Sequence, residues 1–145
     1  MSFHYSEKSI FIRAPIASVW NALTTPEQAR LFFLGCAIIS DWREGSAIHF
    51  DTEADGETRT IMKGEITEIA LHQYLVYTCF TPEQEDHPAQ HIVVSFRFSA
   101  VEGGTEIFVT QGPFSTEEQK QQYDDSGSTI LDGMKVLVEN QRAGF

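Results

Sequence analysis

The chain has 145 residues, of which 41% are hydrophobic and 12% aromatic, the size and richness of a single domain spanning 1–145 rather than two. Its formal charge of −11, from 10 Lys plus Arg against 21 Asp plus Glu, repels phosphate backbones and anionic lipid heads, so neither nucleic acid nor a membrane is an expected partner. No apolar run is long enough to cross a bilayer, and Met1-Ser2-Phe3-His4-Tyr5-Ser6-Glu7 lacks the basic start and apolar stretch of a signal peptide; a cytoplasmic protein is expected.

In chain order, His4 to Arg13 reads as an extended run, with Ile10 and Ile12 alternating against Phe11 and Arg13, and it stops at Ala14-Pro15. Pro15 suits the first turn of a helix, and Ile16, Val19, Trp20 and Leu23 follow at helical spacing. Thr25-Pro26-Glu27-Gln28 reads as a capping box in front of a second short helix through Ala29, Leu31, Phe32 and Phe33. Beyond Gly35 the pattern changes to strands: Cys36 to Trp42, Ser46 to Thr52, Glu57 to Ile69, Tyr74 to Phe80, His91 to Ala100 and Thr105 to Gln111, with a loop from Thr81 to Ala89. The short links between them imply antiparallel hairpins, because a parallel crossover needs about a dozen residues or more. Ser115-Thr116-Glu117-Glu118 reads as another capping box, and Ile130, Met134, Leu137 and Val138 then recur at intervals of three and four toward Gln141, the signature of a long amphipathic helix. Gly127 and Gly133 lie inside that helix and either interrupt it or serve close packing; a break or kink near Gly127 is expected.

These elements make an α+β fold, a seven-stranded curved antiparallel sheet around one long C-terminal helix, with two short helices after the first strand. One helix cannot fill the hollow of such a sheet, and a pocket is the usual result. Alternation aims Phe50, Met62, Phe96, Phe98, Ile107 and Val109 at the helix, and it puts the polar residues Thr60 and Gln111 on the same faces, with Tyr123 on the last helix or just before it. A dry core penalises such groups by about 1–3 kcal/mol unless they are paired, so a wet or ligand-filled cavity accounts for them more simply. The expected lining is Trp42, Phe50, Thr60, Met62, Tyr77, Phe96, Gln111, Tyr123, Gly127, Ile130 and Met134. Alternation leaves open which of Val76 and Tyr77 points inward.

Other motifs have plain readings. Cys36 and Cys79 sit in no metal or dithiol spacing and read as reduced core thiols. Asp51-Thr52-Glu53-Ala54-Asp55-Gly56 resembles half of a calcium loop, but Met62 occupies the position of the bidentate glutamate, so an acidic hairpin turning at Asp55-Gly56 is expected. The five histidines show no metal spacing, and no nucleophile elbow, phosphate loop or dinucleotide fingerprint occurs. No metal and no cofactor are expected.

Ile12-Arg13-Ala14-Pro15-Ile16-Ala17-Ser18-Val19-Trp20-Asn21-Ala22-Leu23-Thr24-Thr25-Pro26-Glu27 resembles the opening of the START-like, or SRPBCC, superfamily. Taken with Trp42-Arg43-Glu44-Gly45-Ser46, Gly64 to Ile69, Leu75-Val76-Tyr77-Thr78 and Gly103 through Gln111, the chain is similar from about Lys8 to Asn140 to the branch named after the activator of the ninety-kilodalton heat-shock protein ATPase. The resemblance implies the helix-grip fold that the element order suggests independently. It also exposes a departure. Family members commonly carry a Gly-Trp pair ahead of the apolar run of the last helix, and aligning on Leu131 puts Ser126-Gly127 there; a one-residue shift would put Ser128 in place of the indole. In either register the resemblance implies a pocket wider or more open than usual.

The resemblance implies first a module that encloses a small apolar or amphipathic molecule between sheet and helix. A co-chaperone-like regulator of a heat-shock ATPase and a cyclase- or hydrolase-type enzyme are the alternatives, the latter drawing on Tyr77, Gln111, Tyr123 or His91; a binding role ranks ahead of catalysis. A second copy of the chain and a chaperone ATPase stand as further candidate partners.

Overall fold

The computed structural model describes residues 4–143. Its elements are β1 (His4–Ile12), α1 (Ile16–Thr24), α2 (Pro26–Phe32), β2 (Ala37–Ser40), β3 (Ala47–Ala54), β4 (Glu57–Ala70), β5 (Tyr74–Cys79), β6 (Ile92–Val101), β7 (Gly104–Phe114) and α3 (Glu117–Ala143). The strands form one antiparallel sheet in the order β1-β7-β6-β5-β4-β3-β2, so β2 to β7 run as a meander and β1 closes on β7. Asp55 and Gly56, both with φ near the left-handed region at 54° and 80°, make the β3–β4 turn expected of that acidic segment.

The curvature has identifiable sources in β4. Its first half pairs with β3 and its second half with β5, and each pairing carries a bulge, at Ile61 opposite Phe50/Asp51 and at Thr67 opposite Val76/Tyr77. Between them lies Gly64, where a β-carbon would come within 1.7 Å of the Thr78 carbonyl oxygen; only glycine admits that approach, and bulges with a close-packed glycine bend a sheet.

Inside the hollow, Ile12, Ile48, Phe50, Ile66, Leu75 and Ile107 meet Val19 and Leu23 of α1 and Leu131, Met134 and Val138 of α3, all nearly inaccessible to solvent. Helix α3 is fastened at both ends. The hydroxyl of Ser6 on β1 donates to Asp124, which also accepts from Lys120 Nζ at 2.8 Å. Further along, Lys135 Nζ donates to the Phe11 carbonyl at 2.7 Å and to Glu139 at 2.8 Å, and the Arg13 amide donates to Glu139 at 2.9 Å. Among the described residues no helix is long and apolar enough to cross a membrane.

Three local expectations are corrected. Helix α3 runs uninterrupted through Gly127 and Gly133; the second of the two readings, close packing, is realised at Gly133, which sits against Phe32 of α2. The box at Thr25 does not form: the Thr25 side chain makes no cap bond, and Gln28 accepts instead from Gln141 Nε2 of α3 at 2.8 Å. The cap of α3 lies one residue later than expected, Thr116 Oγ1 accepting from the Gln119 amide at 3.0 Å while Gln119 reaches back to the Ser115 amide. Where a loop was expected, a short 3₁₀ turn over Pro82–Gln84 forms, the Thr81 amide donating to Gln84 Oε1 at 3.0 Å.

Candidate functional site

The buried face of α3 changes size along its length. Leu131, Met134 and Val138 fill the hollow at the C-terminal half, whereas the N-terminal half presents Tyr123, Ser126, Gly127 and Ile130. A cleft of about 250 Å³ opens beneath that half. Its sheet wall comes from Phe50 on β3, Ile61 and Met62 on β4, Tyr77 and Cys79 on β5, Ile92 and Val94 on β6, and Gln111 on β7. The remaining side is the α2–β2 connection, with Phe33, Leu34 and Cys36.

The floor is a row of rings laid across the strands. Phe33 stacks on Phe50 at 5.2 Å, Phe50 tilts onto Tyr77 at 5.7 Å, and Tyr77 stacks over Phe96 at 6.4 Å between centroids. Such pairs contribute about 0.5–1.5 kcal/mol each beyond their buried area. Alternation could not choose between Val76 and Tyr77; the register of β5 puts Tyr77 inward, 3% exposed.

Four polar side chains interrupt this apolar surface: Tyr77, Gln111, Tyr123 and Ser126. Among the described residues none of their polar ends is both sealed from solvent and unpartnered, and these side chains border the open space of the cleft. Burial pushes the Tyr77 phenol well above its usual pKa, with the Cys79 thiol and the Tyr123 phenol adding to the effect. Burial also raises Tyr123, helped by Cys79. Both phenols therefore stay protonated at neutral pH and act as hydrogen-bond donors, not as bases. Burial pushes the Cys79 thiol up to about 12 and raises that of Cys36, where the Asp51 carboxylate adds. Both cysteines are free, neutral and poor nucleophiles at pH 7.

A narrow extension of about 30 Å³ continues from the cleft under Gly127 toward Lys8, Phe96, Val109 and Leu131. Gly127 keeps this passage open: a β-carbon there would lie 3.3 Å from Gln111 Nε2 and 3.5 Å from Lys8 Cδ.

Of the residues expected to line a cavity, Phe50, Met62, Tyr77, Gln111, Tyr123, Gly127 and Ile130 meet in the cleft, and Phe96 lines the extension. Three do not. Thr60 is exposed and its hydroxyl donates to Asp51 Oδ1 at 2.7 Å; the bulge at Ile61 shifts the alternation, so that Ile61 rather than Thr60 joins Met62 at the cleft. Trp42 takes φ +57°, which turns the chain out of β2 after Ser40, and its ring borders a separate shallow depression with Trp20, Ile69 and Leu71. Met134 is fully buried in the packed half of the hollow. His91 also lies outside the cleft, stacked on Phe80 at 4.0 Å with Nε2 2.8 Å from the Gln84 carbonyl.

Besides Ile61 and Ser126, the cleft residues outside that expectation fall into two kinds. Cys79, Ile92 and Val94 continue the alternation through Tyr77 and Phe96, so that signal was present. Phe33, Leu34 and Cys36 sit in an irregular turn with Leu34 at φ +56°, where neither period applies.

Comparison with known proteins fits this geometry. The family described as Activator of Hsp90 ATPase homolog 1-like protein matches residues 13–139. No curated protein matches the chain. Among solved structures, ChR145 from Cytophaga hutchinsonii is 32% identical over 99% of both chains, with a TM-score of 0.81. Protein MLL2253 from Mesorhizobium loti is 19% identical over 94% of this chain and 98% of its own, with a TM-score of 0.76. Ara h 8.0201 is 18% identical over 94% of this chain and 98% of its own, with a TM-score of 0.68. At such identities the last two show a shared fold alone.

Proposed function

The chain belongs to the Activator of Hsp90 ATPase homolog 1-like family, and from that premise we propose that it binds a small apolar or amphipathic molecule in the cleft between the sheet and α3. The observation that carries this reading is the pairing of an apolar, ring-lined wall with a few polar groups that border the open cleft, among them the phenols of Tyr77 and Tyr123 and the amide of Gln111. An apolar surface with a few convergent polar groups is what a small-molecule site requires: the rings supply burial, and the polar groups fix orientation. In a merely packed core those groups would be bonded to one another or replaced by apolar residues.

The phenols, held protonated, donate to an acceptor on the ligand, and Gln111 can donate or accept. Exposed Leu34 and Ile61, at 54% and 41%, form an apolar rim at which a ligand can begin to lose water before it enters. The direct test is native mass spectrometry of protein purified from its own host under non-denaturing conditions, with extraction of whatever small molecule remains bound. A stoichiometric apolar or amphipathic adduct that is lost when Tyr123 is replaced by Trp to fill the cleft supports the reading. Protein that copurifies with no adduct and takes up none from a panel of apolar molecules contradicts it.

A further inference from the structure

We propose that Lys8, with Gln111 beside it, forms an anion-accepting subsite at the inner end of the cleft, so that the molecule bound there carries a carboxylate or similar anionic group on an apolar body. The inference rests on the cleft being a ligand site and adds the chemical class of the ligand.

The first observation is one of position. On β1 the residues that face the hollow are Ser6, Lys8, Ile10 and Ile12, while Tyr5, Glu7 and Ser9 are exposed. A lysine thus stands in the inward row of a strand, paired with buried Val109 of β7, where the pattern calls for an apolar residue. The second is one of charge. Lys8 is the only charged side chain among the residues that border the cleft or its extension. Everything else there is apolar or neutral, the phenols and thiols being held protonated by burial.

The third observation concerns partners. Among the described residues the Lys8 ammonium makes no ion pair, whereas its neighbour Asp124 is already engaged by Lys120 Nζ at 2.8 Å and by the Ser6 hydroxyl. The Lys8 charge is felt by that carboxylate without bonding to it, so positive groups outnumber it at this end of α3. Glu117, the other acid near Lys120, pairs with His4 at 3.1 Å. The stem of Lys8 lies across Gly127, with Cδ and Cε 3.5 and 3.6 Å from where a β-carbon would be, and Gln111 Nε2 lies 3.3 Å from the same point. The Gln111 amide donor and the stem of a charged side chain thus flank the narrow passage that the missing side chain leaves. A charge-assisted bond is the strong kind, and a compact anionic head followed by an apolar body matches the taper from extension to cleft.

The probes are naphthylacetate and its uncharged counterpart naphthylacetamide, titrated by calorimetry into the wild-type protein and into Lys8→Met, which keeps the apolar stem and removes the charge. Wild type should bind the carboxylate about tenfold more tightly than the amide, and in Lys8→Met that ratio should fall to near one with the thermal midpoint little changed. Equal affinity for both probes in wild type, or a preference that survives in Lys8→Met, overturns the subsite while leaving the cleft as a binding site. Failure of wild type to bind either probe contradicts the cleft reading itself, and the subsite falls with it.

Discussion

Gly133 of α3 packs on Phe32 of α2 so closely that a β-carbon on the glycine would lie 3.1 Å from the phenylalanine Cβ and 3.5 Å from its Cα. Gly127, two turns earlier, faces only the far ends of Gln111 and Lys8. Both glycines forgo about 1 kcal/mol of helix propensity relative to alanine, so the same substitution should act with opposite sign. Gly127→Ala should stabilise by up to about 1 kcal/mol, because flexible side chains can yield. Gly133→Ala should destabilise by about 1–2 kcal/mol, because a backbone-proximal contact between two helices cannot. Urea denaturation of the two variants decides this, and two shifts of the same sign would count against the packing described.

Acid should loosen the attachment of α3 to β1. The Arg13 amide and then Lys135 hold the Glu139 carboxyl below its usual pKa, and Lys120 and then Ser6 do the same for Asp124. Groups lowered in the folded state stabilise it above their unfolded values, about 4, and lose that contribution as pH falls through the depressed ones. Thermal midpoints should therefore drop below about pH 4, and Glu139→Gln should start lower at neutral pH and fall less steeply. A variant that follows the wild-type curve throughout would show the carboxylate to be uncoupled from folding.

At the other extreme the buried thiols and phenols set the limit. Cys79, pushed up to about 12, and Cys36, also raised, contribute stability that is complete below the ordinary thiol value near 8.5 and is lost as pH rises through the raised ones. Alkaline unfolding should begin above about pH 9. In the same range iodoacetamide labelling of the native protein should accelerate, after being far slower at pH 7.5 than for a free thiol. Rapid labelling of both cysteines at pH 7.5 would contradict their placement.

The bulge in β4 separates two adjacent residues by function. Thr60→Val removes only an exposed bond to Asp51 and should change stability by no more than about 0.5 kcal/mol, with binding of an apolar dye unchanged. Ile61→Asp places a carboxylate on the rim of the cleft and should weaken that binding severalfold. Fluorescence titration of the two variants distinguishes them; an effect of Thr60→Val as large as that of Ile61→Asp would restore the unbulged alternation.

The element order, the antiparallel sheet and the terminal helix were legible in the sequence because turn residues and hydrophobic period mark them repeatedly, so that an error at one end of a strand does not propagate. The seven residues of that expectation that the structure brings to the cleft sit on regular strand faces or on α3. Thr60 and Trp42 failed for a shared reason: a single extra residue at Ile61 and a single left-handed conformation at Trp42 each redirect side chains, and neither carries a periodic signal. The continuity of α3 through Gly127 is a tertiary effect, contacts with β1 and β7 outweighing a local propensity of about 1 kcal/mol. Phe33 to Cys36 wall the cleft from an irregular turn, which no alternation rule reaches.

The most direct measurement is titration of an environment-sensitive apolar dye into the wild-type protein and into Gly127→Trp. The indole would occupy the space under α3 where the cleft meets its extension. Wild type should bind the dye saturably at one site per chain, and Gly127→Trp at least about tenfold more weakly, with a thermal midpoint equal or higher. Equal dye affinity in the two proteins, or no binding to either, would contradict a ligand site under α3.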